Sequence, residues 1–471
     1  MSSLVEKILS LIPNISPEYY SIALILLVPI PLSITVNWIK SRTGRLLWTL
    51  IISIVLQYIC FGAYILHGVA SILLCFIIMK ILPYPIAHYV NFVVQFGYLF
   101  YGHIWRMVTS YGQYSTDWTV LQMLLVVRLS QVSWYRSLSF RDINTVKPRH
   151  RQCIMYEDPN VFDLFGYCYL ISGILIGPDY DYNTFLKWLD LSLFPNNTPP
   201  KLYKKRAYWK RIIQLIVVYF CGVQNPLDSA YTATEEFGMK PFYYKVIYTC
   251  IIFYTGTSKY VFMFLAEELS CMGCGITFYI DKDGKEKCLK WRNVRMFNLY
   301  TARGLHGFTR NWNLSTVEWI TSVINDMIPL HYPEMVRHML TYTCSVLWHG
   351  FYPGYLLFFL AGGFPYELSS RRFLKKVSPI MDKRNPLYYP LVGICWVLSL
   401  IIMSFPYLGF NLMDHRLIFK AWKNLGYYYY YVLLAMFVLG YILPAFPKDY
   451  WDKKEQAKKE KEEKEEKAKK E

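Results

Sequence analysis

Two polar side chains in an otherwise apolar chain carry the chemistry this sequence offers. His349 lies well inside the apolar run His338–Phe364, in Cys344-Ser-Val-Leu-Trp-His349-Gly350-Phe-Tyr-Pro353-Gly354-Tyr355. An ionisable group at membrane depth is costly and by default marks a functional site. The bland alternative is a histidine paired to a neighbouring helix through one ring nitrogen. Imidazole titrates near neutrality, which makes it the natural general base for a hydroxyl nucleophile. The second side chain is Asn313, in Arg310-Asn311-Trp312-Asn313-Leu314-Ser315-Thr316-Val317-Glu318-Trp319. Ser315 and Glu318 have capping-box spacing, which predicts a helix starting just after Asn313. An amide placed there, facing apolar surroundings, could orient the imidazole or donate to a developing oxyanion. Its alternatives are an ordinary turn asparagine and, in the sequon Asn313-Leu-Ser315, a glycosylation acceptor.

The residues after His349 shape its surroundings. Pro353 cannot donate an i→i−4 hydrogen bond, so in a helix the carbonyl of His349 would be left free. Gly350 and Gly354 form a G-x-x-x-G pair that strips bulk from one face. The expectation is a kinked helix with a bare strip beside the histidine, filled by an acyl chain or by a closely packed helix.

These groups need a scaffold, and composition says which kind. Of 471 residues, 54% are hydrophobic and 18% charged, which excludes disorder for all but the tail. Several apolar runs are too long and too charge-poor for the core helices of a soluble enzyme. The spanning candidates are Tyr20–Trp38, Leu46–Leu66, Val69–Ala87, Tyr89–Trp105, Trp118–Trp134, Val161–Gly177, Val246–Ala266, His338–Phe364, Leu387–Phe410 and Tyr427–Phe446. Ile212–Val223 and Val317–Leu330 are shorter, of re-entrant or interfacial length. Trp and Tyr crowd many of the ends, as an interfacial belt requires. Between Asp179 and Lys245, and from Ser270 to Asn313, Pro, Gly and charge break the runs. Irregular backbone at membrane depth needs protein or a water-filled cavity to cover it. The expected fold is therefore all-α: a polytopic membrane protein with about ten to twelve transmembrane or re-entrant helices around a central chamber. Residues 1–447 form the membrane domain and 448–471 a charged tail, disordered or a solvated helix.

The net charge of +17 sits mostly in short loops, because the stretch Lys453–Glu471 holds 9 Lys against 7 Glu. Short Lys/Arg-rich loops beside membrane segments set orientation. An N-terminus on the far side and an odd number of crossings place the basic loops and the C-terminus in the cytoplasm. Those loops also suit anionic headgroups or a phosphate-bearing cosubstrate. Nucleic acid is the weaker reading, since no recognition motif accompanies the charge. The 11 cysteines form no disulfide framework, and Cys271-x-x-Cys274 lacks the further ligands of a closed zinc site. No cleavable signal peptide is expected; the first apolar run would serve as a signal anchor. The final Lys467-Ala-Lys469-Lys470-Glu471 fits the K-x-K-x-x form of endoplasmic-reticulum return signals.

Three cations interrupt apolar runs. Lys80 can snorkel to an interface. Arg128 and Lys259 are expected to face the chamber and contact lipid or a cosubstrate phosphate, unless Glu267 or Glu268 pairs with one of them.

The string Trp348-His349-Gly350-x-x-Pro353-Gly354-Tyr355, with Trp312-Asn313 placed 36 residues upstream of the histidine, resembles the membrane-bound O-acyltransferase (MBOAT) family. Within it the likeness is to the lysophospholipid acyltransferase branch. Gly173-x-x-x-Gly177-Pro178, Asp117-Trp118-Thr119 and Ala266-Glu267-Glu268 before Cys271 are further points of likeness, which runs from about Asp117 to about Tyr366. Arg292 departs from the pattern, where an acidic residue is expected. The resemblance implies His349 as catalytic histidine and Asn313 as its partner, acyl-CoA as donor cosubstrate and no cofactor. It also implies a lysophospholipid hydroxyl as acceptor; together with the K-x-K-x-x ending, the expected location is the endoplasmic-reticulum membrane. Trp348, Tyr352, Tyr355 and Trp312 are the expected substrate-contacting aromatics, with Glu268, Arg128 and Lys259 as polar contacts. Two rivals are an MBOAT branch acting on a sterol, diacylglycerol or protein, and a multipass transporter with His349 as a relay. No self-similar halves support transport.

Overall fold

The computed structural model describes residues 24–84, 86–112, 117–224, 227–377, 388–444 and 456. The expectations for the first residues and for almost all of the tail fall outside that set. Within it the chain is helical, with one hairpin, β1 (Tyr279–Ile280) against β2 (Glu286–Lys287).

The helices that matter to the site are α1 (Leu24–Trp38), α2 (Arg42–Phe61), α3 (Ile65–Ile81), α4 (Ile86–Thr109) and α5 (Trp118–Ser137). They are followed by α6 (Val161–Cys168), α7 (Tyr182–Leu189), α8 (Arg206–Val218), α9 (Phe242–Cys274), α10 (Leu314–Trp319), α11 (Glu334–His349) and α12 (Pro353–Leu356). Last come α13 (Phe364–Val377), α14 (Tyr388–Leu412), α15 (His415–Asn424) and α16 (Tyr428–Ile442). Several starts are capped by side chains, each satisfying an orphan amide of a first turn. Ser41 accepts from Gly44 N at 3.1 Å, Asp117 from Thr119 N at 2.7 Å and Asp181 from Thr184 N at 2.8 Å. Gly275 ends α9 in the left-handed region, at φ +86°, where a side chain would be strained.

The polarity of α2 is inverted relative to a soluble helix. Its buried face carries Arg45, Thr49, Ser53 and Gln57, and its exposed face carries Leu47, Ile51, Ile54 and Val55. Apolar side chains outward and polar ones inward are what hydrocarbon as a solvent selects, because polar groups must then find partners inside the protein.

By length and apolarity alone, three helical stretches among the described residues can cross a membrane: Arg42–Ile81, Phe242–Cys274 and Tyr388–Leu412. The pair His415–Asn424 and Tyr428–Ile442, bent by 70°, makes a fourth. This is fewer than the apolar runs suggested, for two physical reasons. Interior helices trade apolar for polar residues: α4 buries Asn91, Gln95 and His103, and α5, buried on almost every side, holds Gln122, Arg128, Ser130, Gln131 and Ser133. Other runs are broken. Val161–Gly177 is helical only to Cys168, and His338–Phe364 is interrupted after His349. The close approach expected at Gly354 is made by a helix: a Cβ there would lie 2.2 Å from the carbonyl oxygen of Gly409 on α14.

Candidate active site

His349 is the last residue of α11. Gly350 follows at φ +117°, a value open to glycine but strained for a side chain, and Pro353 starts α12. The expected kink is thus a full break, and it leaves the imidazole at a helix end instead of on a helix face. The ring is half-buried and surrounded by aromatics, with centroids at 4.8 Å (Trp348), 5.5 Å (Phe359), 5.7 Å (Phe410) and 6.0 Å (Tyr355). Among the described residues none makes a recorded hydrogen bond to its nitrogens, so the paired-histidine alternative finds no partner there.

Asn313 stands immediately before α10 in the left-handed conformation (φ +43°, ψ +55°), one that asparagine tolerates better than most residues. Its Oδ1 is buried and has no hydrogen-bond partner among the described residues. A buried amide oxygen left open is costly unless something else binds it. A chain of ring contacts joins its neighbourhood to that of His349. Trp312 packs on Tyr260 at 5.9 Å, Tyr260 on Phe410 at 6.1 Å, and Phe410 on His349 at 5.7 Å.

A polar network fixes the Asn313 turn. Glu268 accepts from the amides of Asn293 and Val294 at 2.7 and 2.9 Å and pairs with Arg211 at 2.9 Å. Asn293 passes this order on. Its carbonyl accepts from Leu314 N at 2.9 Å, its Oδ1 accepts from Ser315 Oγ at 2.6 Å, and its Nδ2 donates to the Ile176 carbonyl at 2.7 Å. Ser315 Oγ in turn accepts from Asp179 N at 3.0 Å. Glu267 holds the adjoining loop by accepting from Leu175 and Ile176 amides at 2.8 and 3.1 Å. The helix therefore begins where the spacing predicted, but Ser315 works as a link between loops and makes no cap.

The other residues singled out in the sequence divide. Tyr355 and Trp312 lie on the aromatic path, Tyr355 facing both His349 and Phe410. Lys259 is half-buried next to Tyr260 on α9. Trp348 is committed elsewhere: its Nε1 donates to the Met123 carbonyl at 2.9 Å and its ring packs on Trp319. Tyr352 packs on Tyr111 with Arg106 over its ring. Arg128 does not face open space. It is fully buried, donates to the carbonyls of Tyr167, Cys168 and Gly173, and pairs with Asp179 at 3.5 Å. Glu268 likewise positions backbone and pairs with Arg211, not with Arg128 or Lys259.

One residue escaped the sequence reading. His103 on α4 is buried, and its Nε2 lies 3.1 Å from the carbonyl oxygen of Trp348. The available signal was a four-residue spacing: Asn91, Gln95 and His103 fall on one face of an apolar helix, and all three are buried.

Comparison with known proteins bears on what this geometry serves. Over 441 residues the chain is 22% identical to lysophospholipid acyltransferase 2 of Arabidopsis thaliana, covering 91% of this chain and 94% of that protein. It is 23% identical to human lysophospholipid acyltransferase 5 over 86% of this chain and 83% of the relative. Against lysophospholipid acyltransferase 6 of Drosophila melanogaster it is 24% identical over 68% of this chain but only 46% of the longer fly protein. The family model for MBOAT, the membrane-bound O-acyltransferase family, matches residues 98–410, a span that contains His103, Asn313 and His349. A broken helix ending in histidine, an aromatic path to a buried amide and this match agree: the chain belongs to the membrane-bound O-acyltransferase family.

Proposed function

We propose that this protein transfers a long-chain acyl group from acyl-CoA to the free glycerol hydroxyl of a lysophospholipid. An acyltransferase role within a membrane follows from the family; donor, acceptor and residue roles are the content of the proposal. The observation that carries it is the ring path from His349 through Phe410 and Tyr260 to Trp312, the neighbour of Asn313, whose buried Oδ1 has no partner among the described residues. His349 takes the proton from the acceptor hydroxyl as its oxygen attacks the thioester carbonyl. Asn313 orients the base through Oδ1 or donates through Nδ2 to the tetrahedral oxyanion. Collapse breaks the C–S bond, and the CoA thiolate leaves with the proton returned by the imidazolium. No acyl-enzyme forms, so Cys344 and Ser345 have no covalent role.

The relatives' names speak for a lysophospholipid acceptor, and the basic loops suit the anionic end of CoA. An endoplasmic-reticulum membrane is part of the same reading, and the placement of the basic loops on its cytoplasmic side rests on loop charge. The test is a panel of labelled acyl-CoAs offered with lysophospholipids, diacylglycerol and sterol to membranes containing the chain. Acylation of diacylglycerol or sterol in preference to every lysophospholipid would overturn the acceptor assignment.

A further inference from the structure

At the end of α1 a cavity of about 160 Å³ opens between residues 37–40 and the loop around residues 197–203. Ile34, Ile39 and Tyr203 supply apolar wall, and the exposed Lys40 and Lys201 also line it. Trp38 borders it with 76% of its surface exposed, the placement of an interfacial anchor at the end of an apolar helix.

Behind this wall stands Arg45, fully buried. Its Nη1 donates to the carbonyls of Val36 and Ile39 at 3.1 and 3.4 Å, and its guanidinium covers Trp188 at 4.1 Å. Nε and Nη2 have no hydrogen-bond partner among the described residues, and no carboxylate there pairs with it. Asp163 and Asp190 are both held by Arg42, at 2.8 and 2.7 Å. Buried guanidinium groups are ordinarily paired, because the field of an isolated one is poorly screened. Asn37 also lines the cavity. Its Nδ2 donates to the Gly273 carbonyl at 2.7 Å, while its Oδ1 is buried without a partner among the described residues.

We infer that this cavity binds the phosphodiester headgroup of an anionic phospholipid. Lys40 and Lys201 meet the phosphate, and Arg45 supplies fixed positive potential from behind. The volume decides between ligand classes, since pockets for drug-sized molecules begin near about 300 Å³. A headgroup fits, whereas a nucleotide or a folded acyl chain does not. The site is separate from the His349–Asn313 region and does not depend on the acyl-transfer reading. Through Asn37 it ties the end of α1 to the end of α9.

The test uses delipidated full-length protein and native mass spectrometry with phosphatidylglycerol and phosphatidylcholine. The wild type is expected to retain phosphatidylglycerol preferentially. The double variant Lys40→Gln/Lys201→Gln should bind it about thirtyfold more weakly, the loss that two interfacial lysines predict. The control Lys282→Gln/Lys285→Gln removes equal charge from the hairpin turn and should bind as the wild type does. Soluble glycerophosphoglycerol, which has the headgroup without acyl chains, should fail to displace the lipid. Absence of a phosphatidylglycerol preference, or equal weakening in both double variants, would overturn the site. Displacement by the soluble compound at the lipid's own concentration would overturn the lipid as its occupant.

Discussion

His103 Nε2 lies 3.1 Å from the carbonyl oxygen of Trp348, the residue that precedes His349. A carbonyl only accepts, so Nε2 carries the hydrogen, and this bond satisfies one of the carbonyls that the end of α11 leaves open. The same ring fills the space beside Gly350, where a Cβ would meet His103 Nδ1 at 3.2 Å. His103 thus holds the turn that follows His349 and, on the proposed mechanism, is a positioning residue. Replacing it by Ala leaves a buried carbonyl unsatisfied, at a cost of about 1–3 kcal/mol. His103→Ala should lower kcat with the KM for acyl-CoA unchanged, and His103→Gln, which keeps a donor of similar reach, should recover most of the rate. Equal losses in both variants would mean that the ring contributes shape and not a hydrogen bond.

Two substitutions separate base from partner. His349→Ala should abolish transfer, with a loss of at least about 10²–10⁴-fold, while the protein stays monodisperse in detergent. Full activity would remove the histidine from the mechanism. Asn313→Ala should lower kcat by about 10²–10³-fold if its amide meets the oxyanion. A change confined to donor KM would make it a binding residue.

Glu268 tests whether the Asn313 turn is held from a distance. Glu268→Gln keeps an acceptor for the Asn293 and Val294 amides but leaves the buried Arg211 unpaired. Removing one partner of such a pair costs about 3–5 kcal/mol. We expect a Tm drop in detergent together with a fall in kcat, both partly restored in the double variant Glu268→Gln/Arg211→Met. Restored stability without restored turnover would show that the pair matters to folding alone.

The local parts of this site were legible in the sequence, and the long-range parts were not. Pro353 and Gly350 announce an interruption after His349, and the helix after Asn313 starts at the predicted residue. What the sequence did not carry are the distant partners that Ser315 and Arg128 find. Ser315 has the spacing of a cap, yet its hydroxyl donates to Asn293 from a separate loop. Arg128 reads as a cation facing the chamber or paired with Glu267 or Glu268, but the carbonyls that bind it come from residues 167–173, which depart from helical geometry after Cys168. The number of helices that are both long and strongly apolar falls below the number of apolar runs for a related cause. Average hydropathy measures contact with lipid, and α4 and α5 spend their polar residues on each other, as where Asn91 Nδ2 donates to Ser133 Oγ at 2.9 Å.

The turn between the Asn313 helix and the His349 helix is clamped by charge, which gives a pH test. Asp326 is half-buried with its carboxylate covered, and it receives Lys147 at 2.6 Å, Arg149 at 2.7 Å and His150 Nε2 at 2.8 Å, all from residues 147–150. Burial alone would raise its carboxyl, but the hydrogen bonds from His150, Lys147 and Arg149 outweigh it and hold the group well below the usual carboxylate range. A carboxylate depressed in the folded state contributes stability in full above its unfolded value, near about 4, and loses it as pH falls further toward the folded value. The clamp should therefore be constant from pH 8 to 5. Asp326→Asn should destabilise the protein by about 2–3 kcal/mol in that range, the worth of hydrogen bonds to a charged group. The gap in Tm between wild type and variant should narrow only below about pH 4. A gap that closes between pH 7 and 6 instead would show that the Asp326 carboxylate does not set the pH dependence of the clamp.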